Sequence, residues 1–408
     1  MTAGSGVNTR LRLIGLDGLR GFLALCVIIV HVTAHYSPSI LAITHFELLG
    51  QAIVVFFVMS GLLIYMPFAR ALITGDDPLR NLRRYMKARV LRVFPAYIVI
   101  FLISNLLAAV YVENAMVVQS RGSEGGTGSI TDPWSLFLHL TLIQNYVPSE
   151  LQTGINSSWT LTVELAFYLL LPFIVVATAA AASRLYRRAS GYVIAILPGA
   201  ALVLLGSMSR VLLAHAAESS DLSAEMTEWG PYPIAVLSRS ILPWADNFGW
   251  GMIAVVFYIA IQRGEISAAT VVRIRRLMWP VGSAALLLSA VFYFTEPRYI
   301  GGAFALFSAA LLLLLIVPVD GLTKTWRVAP LVDNRVLHWI GTTSLSVYLW
   351  HYPVIILLER WGWAGGDDWA SWTWSFFLVT AVSVGLATIT YLLVERPAMR
   401  LASGKRRS

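Results

Sequence analysis

The sequence predicts an all-α polytopic membrane protein of about ten transmembrane helices, N-in and C-in. Three observations carry this fold class. The 408 residues are 57% hydrophobic and 13% charged, with a mean hydropathy of +0.71. Apolar runs of about 20 residues, long enough to cross a bilayer, recur along the whole chain. Lys and Arg alternate between successive connections, as the positive-inside rule requires. No polar segment is long enough to house a soluble domain, so the chain divides into a cytosolic tail (1–15), one transmembrane domain (16–398) and a basic cytosolic tail (399–408).

The expected spans are 16–35, 48–67, 93–112, 162–182, 192–211, 243–262, 277–295, 300–318, 340–358 and 372–394. With the N-terminus inside, 25 of the 30 basic residues fall in inner segments. The remaining five, Arg121, Arg210, Arg239, Arg298 and Arg360, lie on the outer side or at its edge. The net charge of +8 is thus largely topological, which removes the main support for a nucleic-acid partner. A single cysteine, Cys26, excludes an intrachain disulfide and any cysteine-based metal cluster. No His, Asp or Glu cluster has ligand spacing, so no metal site is expected.

The first span, LDGLRGFLALCVIIVHVTAH, carries Asp17, Arg20 and His31. Arg20 and His31 lie about 20° off one helix face and roughly 16 Å apart along the axis. Ionisable groups inside a span cost several kcal/mol and mark a site by default, although a lone histidine also serves as an ordinary polar contact in a bundle. Gly18 and Gly21 leave room for a close neighbour. Asp17 and Arg20 make this an uncleaved helix rather than a signal peptide.

In the second span, Ser60 and Gly61 fit close helix packing, with a polar role for Ser60 as the alternative. The inner segment 81–97, NLRRYMKARVLRVFPAY, places Arg89 and Arg92 as i, i+3 neighbours. Seven basic residues between 67 and 92 exceed every other inner segment. An arginine pair suits bidentate binding of phosphate, as in a nucleotide or CoA. The long outer connection 113–161 contains a flexible stretch, RGSEGGTGS, and an apolar piece at 134–146 too short to span, expected as an interfacial or re-entrant helix. The loop 214–233 is acidic and broken by Pro231 and Pro233.

The fourth span opens with Trp159, Thr160, Thr162 and Glu164; the ninth carries His351 about eleven residues from its inner end. By depth, His31, Glu164 and His351 are expected in one outward layer, with Arg20, Arg89 and Arg92 towards the cytosol. That arrangement suggests an anion site at one end and acid–base chemistry towards the other.

Six blocks together resemble the membrane acyltransferase family three, integral-membrane O-acyltransferases of sugars, lipids and macrolides. They are LDGLRG with His31, VVFFVMSG, ARVLRVFPAY, WTLTVELAFYLLLP, GTTSLSVYLWHYP and LVERP, in family order over 14–398. Met59, Thr160 and Thr162 depart from the commoner residues, and no ionisable position is lost. The resemblance implies transfer of an acyl group from the cosubstrate acyl-CoA, or a similar donor, to a hydroxylated acceptor; acetyl is the expected acyl group. It implies His31 as the catalytic histidine with Arg20 as motif partner, Arg89 and Arg92 as donor-phosphate ligands, and Glu164 as the block's glutamate, with no bound cofactor. Asp17, Ser60, Trp159 and His351 are supporting residues. The chain lacks the C-terminal hydrolase-like domain of some members, so direct acylation of the acceptor is expected.

A histidine base would take the hydroxyl proton, and a nearby carboxylate would orient its imidazole. An acyl-enzyme on His31 or Ser60 stays open. The expected acceptor is an envelope sugar, glycolipid or macrolide-type metabolite, and the expected location is the plasma (inner) membrane. The reading from a different class is a proton-coupled secondary transporter using His31, Glu164 and His351 as a relay. A purely structural membrane subunit would leave the buried charges without purpose.

Overall fold

The computed structural model describes residues 13, 15–121, 125–185 and 190–403. Almost all of the expected N-terminal tail, the end of the C-terminal tail and residues 122–124 of RGSEGGTGS lie outside the described residues.

Helices dominate. In chain order the long ones are α1 (Leu16–Tyr36), α2 (Ala52–Thr74), α3 (Leu82–Leu106), α4 (Trp159–Leu185), α5 (Gly191–Glu218), α6 (Ile241–Gln262), α7 (Ala268–Thr295) and α8 (Ile300–Ile316). Then come α9 (Arg335–Thr342), α10 (Ser344–Arg360), α11 (Trp369–Thr390) and α12 (Arg396–Ser403). Two-residue strands, Val110–Tyr111 and Thr127–Gly128, pair antiparallel in the long connection. Among the described residues, eight helices are long and apolar enough to cross a membrane. A ninth span is added if α9 and α10, bent by 79°, count as one broken element.

Two sequence expectations shift, and a third takes a shorter form. The span expected at 93–112 is instead the end of α3, which starts eleven residues earlier and stops at Leu106. The chain then turns through Ala108, at positive φ, into the strand Val110–Tyr111, whose pairing with 127–128 takes it out of the helix. Helix α3 carries Arg83, Arg84, Lys87, Arg89 and Arg92 in its first half, so it falls outside the apolar set despite its 25 residues. The expected acidic loop 214–233 is mostly helical: α5 runs on to Glu218, a short helix covers Ala224–Trp229, and Pro233 opens another, as proline does at a first turn. The apolar piece at 134–146 forms an eight-residue helix, Pro133–Leu140, and a 3₁₀ turn.

Local signals set the starts. Ser190, Ser240, Ser267, Asn334 and Asp368 accept hydrogen bonds from the first free N–H groups of α5, α6, α7, α9 and α11. Helix α1 has no such cap of its own. Asp333 supplies it from a distance, accepting from Gly15 N at 3.3 Å and Gly18 N at 3.0 Å.

Close backbone approach then orders the bundle. A Cβ on Gly18 would strike the carbonyl of Val332, and one on Gly21 that of Leu337; on the facing side, Gly341 meets the carbonyl of Asp17. These three glycines let α1 lie directly on the 332–342 segment, the neighbour that Gly18 and Gly21 anticipated. Helix α6 is the hub of the other half, packed on α5, α2 and α8, with Gly61 of α2 against the Phe248 carbonyl and Gly251 of α6 against that of Val58.

Candidate active site

The candidate residues line two cavities within this bundle. The smaller, about 90 Å³, is lined by Arg20 from α1, Ser60 from α2, Arg92 from α3, Glu164 from α4 and Tyr348 from α10. The Ser60 hydroxyl donates to Glu164 Oε1 at 2.7 Å. Arg20 donates to Asp17 Oδ1 at 3.1 Å and feels the charges of Arg92 and Glu164. Two cations and two carboxylates therefore share this corner. Arg89, one turn from Arg92, rests its guanidinium over the rings of Tyr85 and Tyr168 at 6.0 and 5.7 Å. Its Nε is buried without a hydrogen-bond partner among the described residues. Ser60 does both things its position allowed: its neighbour Gly61 permits contact with α6, and its own hydroxyl binds the carboxylate.

The larger cavity, about 360 Å³, is lined by His31, Trp159, Trp229, Trp244 and the arginines Arg210, Arg239 and Arg298. Ile53 and Tyr348 line both cavities. His351 is fully buried behind His31, and its Nε2 lies 2.9 Å from His31 Nδ1. Its Nδ1 lies 2.6 Å from the Tyr348 carbonyl. A carbonyl only accepts, so His351 Nδ1 carries the hydrogen and its Nε2 presents a lone pair. His31 Nδ1 must then donate. That leaves His31 Nε2 unprotonated, the form a general base requires. Tyr352 packs on the His31 ring with centroids 4.7 Å apart, and its hydroxyl accepts from Asn156 Nδ2 at 3.1 Å.

The sequence model of an acyltransferase domain, that of acyltransferase family 3, matches residues 13–392. The chain belongs to that family. Over 397 residues it is 27% identical to "Putative peptidoglycan O-acetyltransferase YrhL" of Bacillus subtilis (strain 168), covering 94% of this chain and 54% of the relative. Over 388 residues it is 22% identical to "O-acetyltransferase OatA" of Staphylococcus aureus (strain NCTC 8325 / PS 47), covering 94% and 56%. The chain thus spans about half the length of these relatives. No solved structure matches it.

As a member of this family the chain carries an acyltransferase domain and is a multi-pass integral membrane protein of the plasma membrane, and the transporter reading gives way to that membership. Within the acyltransferase domain, His31 and His351 touch as their depth suggested. Glu164 does not join them: it is bound by Ser60 and lies among Arg20 and Arg92. The imidazole that orients His31 takes the place of the expected carboxylate. Depth along a helix could not reveal this, because Trp159 and Glu164, five residues apart on α4, face different cavities. Sequence reasoning also passed over the outer arginines. Arg210 makes a bidentate pair with Asp246, at 2.7 and 2.9 Å, and Arg239 binds Glu228 Oε2 at 2.6 Å while lying 3.0 Å from the Trp229 ring centre. Their signal was visible as three of the five basic residues on the side where positive charge is not expected.

Proposed function

We propose that this acyltransferase domain moves an acetyl group from acyl-CoA, entering at the arginine-lined inner cavity, to a hydroxyl of a cell-wall glycan held in the larger outer cavity. The observation that carries the reading is the His31–His351 pair, which leaves His31 Nε2 free as a base at the wall of the outer cavity. The names of the relatives support the acetyl group and the glycan.

In this mechanism Arg89, Arg92 and Arg20 hold the donor's phosphates by charge-assisted, forked hydrogen bonds. The thioester reaches the partition of Ile53 and Tyr348. His31 Nε2 takes the proton of the acceptor hydroxyl as its oxygen attacks the thioester carbonyl carbon. The C–S bond then breaks, and the CoA thiolate leaves, with the proton from His31 restoring the thiol. Transfer is direct, and no acyl-enzyme is needed because donor and acceptor cavities share a wall. Ser60 is held by Glu164, which orients it and ties the carboxylate to the donor corner. With the N-terminus inside, the donor side is cytosolic and the acceptor side outward.

The test compares wild type with His31→Ala in membranes supplied with radiolabelled acetyl-CoA, following label into the glycan, lipid and small-molecule fractions. Label in glycan that vanishes with the variant supports the proposal. Equal label in both removes His31 as the base, and label confined to lipid or small molecules removes the glycan.

A further inference from the structure

The three arginines of the outer cavity are not equivalent. Arg210 is neutralised by both oxygens of Asp246 and Arg239 by Glu228. Arg298 is half-buried, and its hydrogen-bond partners are two neutral oxygens: Thr227 Oγ1 at 3.2 Å and the Ala214 carbonyl at 3.5 Å. Among the described residues no carboxylate pairs with it. A guanidinium has five N–H donors in a fixed fork, and one withdrawn from water costs free energy unless an anion answers it. This cation opens onto the same cavity as His31 and three tryptophans. Flat aromatic faces suit the apolar C–H face of a pyranose ring, and the cavity, at about 360 Å³, lies within the range of about 300–1,000 Å³ typical of small-ligand sites.

We infer that Arg298 forms an anion subsite in the outer cavity, so that the acceptor is a sugar carrying a carboxylate or phosphate near its accepting hydroxyl. The inference rests on the outer cavity being the acceptor site, as proposed above. The ring lies against the tryptophans, its hydroxyl faces His31 Nε2, and its anion takes the unused donors of Arg298 in a forked pair. The charged partner adds affinity and also sets the register of the ring, which decides which hydroxyl reaches the base.

The subsite is tested by binding rather than turnover, using wild-type protein in lipid nanodiscs and quenching of intrinsic tryptophan fluorescence. Two probe pairs separate the sources of charge: a glucuronic-acid disaccharide against its methyl ester, and glucose 1-phosphate against methyl glucoside. The expected result is about tenfold tighter binding of the charged member in at least one pair, and the discriminating pair names the anion. The preference disappears in Arg298→Gln and partly returns in Arg298→Lys, which keeps the charge without the fork. Equal affinity within both pairs, or no binding of any probe to wild type, overturns the inference without reference to any variant. A preference that persists in Arg298→Gln overturns the assignment to Arg298. Loss of this subsite with label still entering glycan in the transfer assay leaves the proposed function standing.

Discussion

His31 owes its chemistry to the group behind it. The Tyr348 carbonyl fixes the hydrogen of His351, and His351 in turn fixes that of His31. Replacing His351 by Leu removes the acceptor for His31 Nδ1–H, so the outward nitrogen no longer stays unprotonated. We predict that kcat falls about 100-fold, with the acceptor KM little changed. His351→Gln, whose amide oxygen accepts the same hydrogen, recovers part of the loss. A His351→Leu enzyme at wild-type kcat would show that the pair is packing alone. The donor arginines make a different prediction. Arg89→Ala with Arg92→Ala raises the KM for acetyl-CoA about tenfold or more and leaves the acceptor KM in place, measured by initial rates with each substrate varied in turn; an unchanged donor KM ends the phosphate role.

At the scale of elements, α5 and α6 are joined by a buried ion pair, Arg210 with Asp246. Gly206 brings the two helices together, because a Cβ there would collide with Asp246. Asp246→Leu alone strands the Arg210 guanidinium and is expected to cost about 3–5 kcal/mol. Adding Arg210→Met recovers most of it, since a pair of apolar side chains carries no desolvation cost. Thermal unfolding in detergent distinguishes the two variants, and equal Tm for single and double variants would contradict the argument. The outer connection has its own electrostatic tie. Glu150 accepts from Ser135 Oγ at 2.8 Å and lies 3.6 Å from the buried His139. The neighbouring His139 imidazole lowers its carboxyl from the ordinary value, against the opposing effect of burial and with help from Ser135. A folded pKa below the unfolded one stabilises above the unfolded value, about 4.3, and the contribution fades as pH falls through the folded value. Glu150→Gln should therefore be less stable than wild type at pH 7, by about 1 kcal/mol, and the gap should close as pH falls below the unfolded value and through the folded one. A gap that stays constant from pH 7 to pH 3 would rule out this linkage.

For the whole molecule, charge asymmetry predicts which side each cavity faces. Cys26 is buried and is the single native cysteine, so introduced thiols report cleanly. Asp221→Cys, in the connection after α5, should react with an impermeant maleimide added to intact cells, while Arg80→Cys, before α3, should react only after permeabilisation. The reverse pattern would place the arginine corner outside and would separate it from cytosolic acyl-CoA. Two half-bundles meet around the cavities: α1 with α9 and α10 on one side, and α2, α5, α6 and α8 on the other. Each half is drawn tight by glycines at its helix contacts. The cavities are lined both by these helices and by the connections before and after them.

Composition and apolar run length were enough for the membrane class, because a bilayer asks only for length and hydrophobicity. Within a helix the sequence was also sufficient: the rise and turn per residue put Arg20 and His31 on one face, and i, i+3 spacing made Arg89 and Arg92 neighbours. Depth along the spans correctly suggested that His31 and His351 could meet. Rotation about each axis was another matter. Helices apolar all round carry little amphipathic signal to say which face meets which neighbour, and small residues mark close contact without naming the partner. Only the tertiary structure decided that Glu164 turns to Ser60 and the arginines, that an imidazole rather than a carboxylate stands behind His31, and that Arg210, Arg239 and Arg298 converge from α5, the α6 approach and the start of α8 on one cavity. Such contacts join residues tens to hundreds of positions apart, and their geometry is set by how the whole bundle packs.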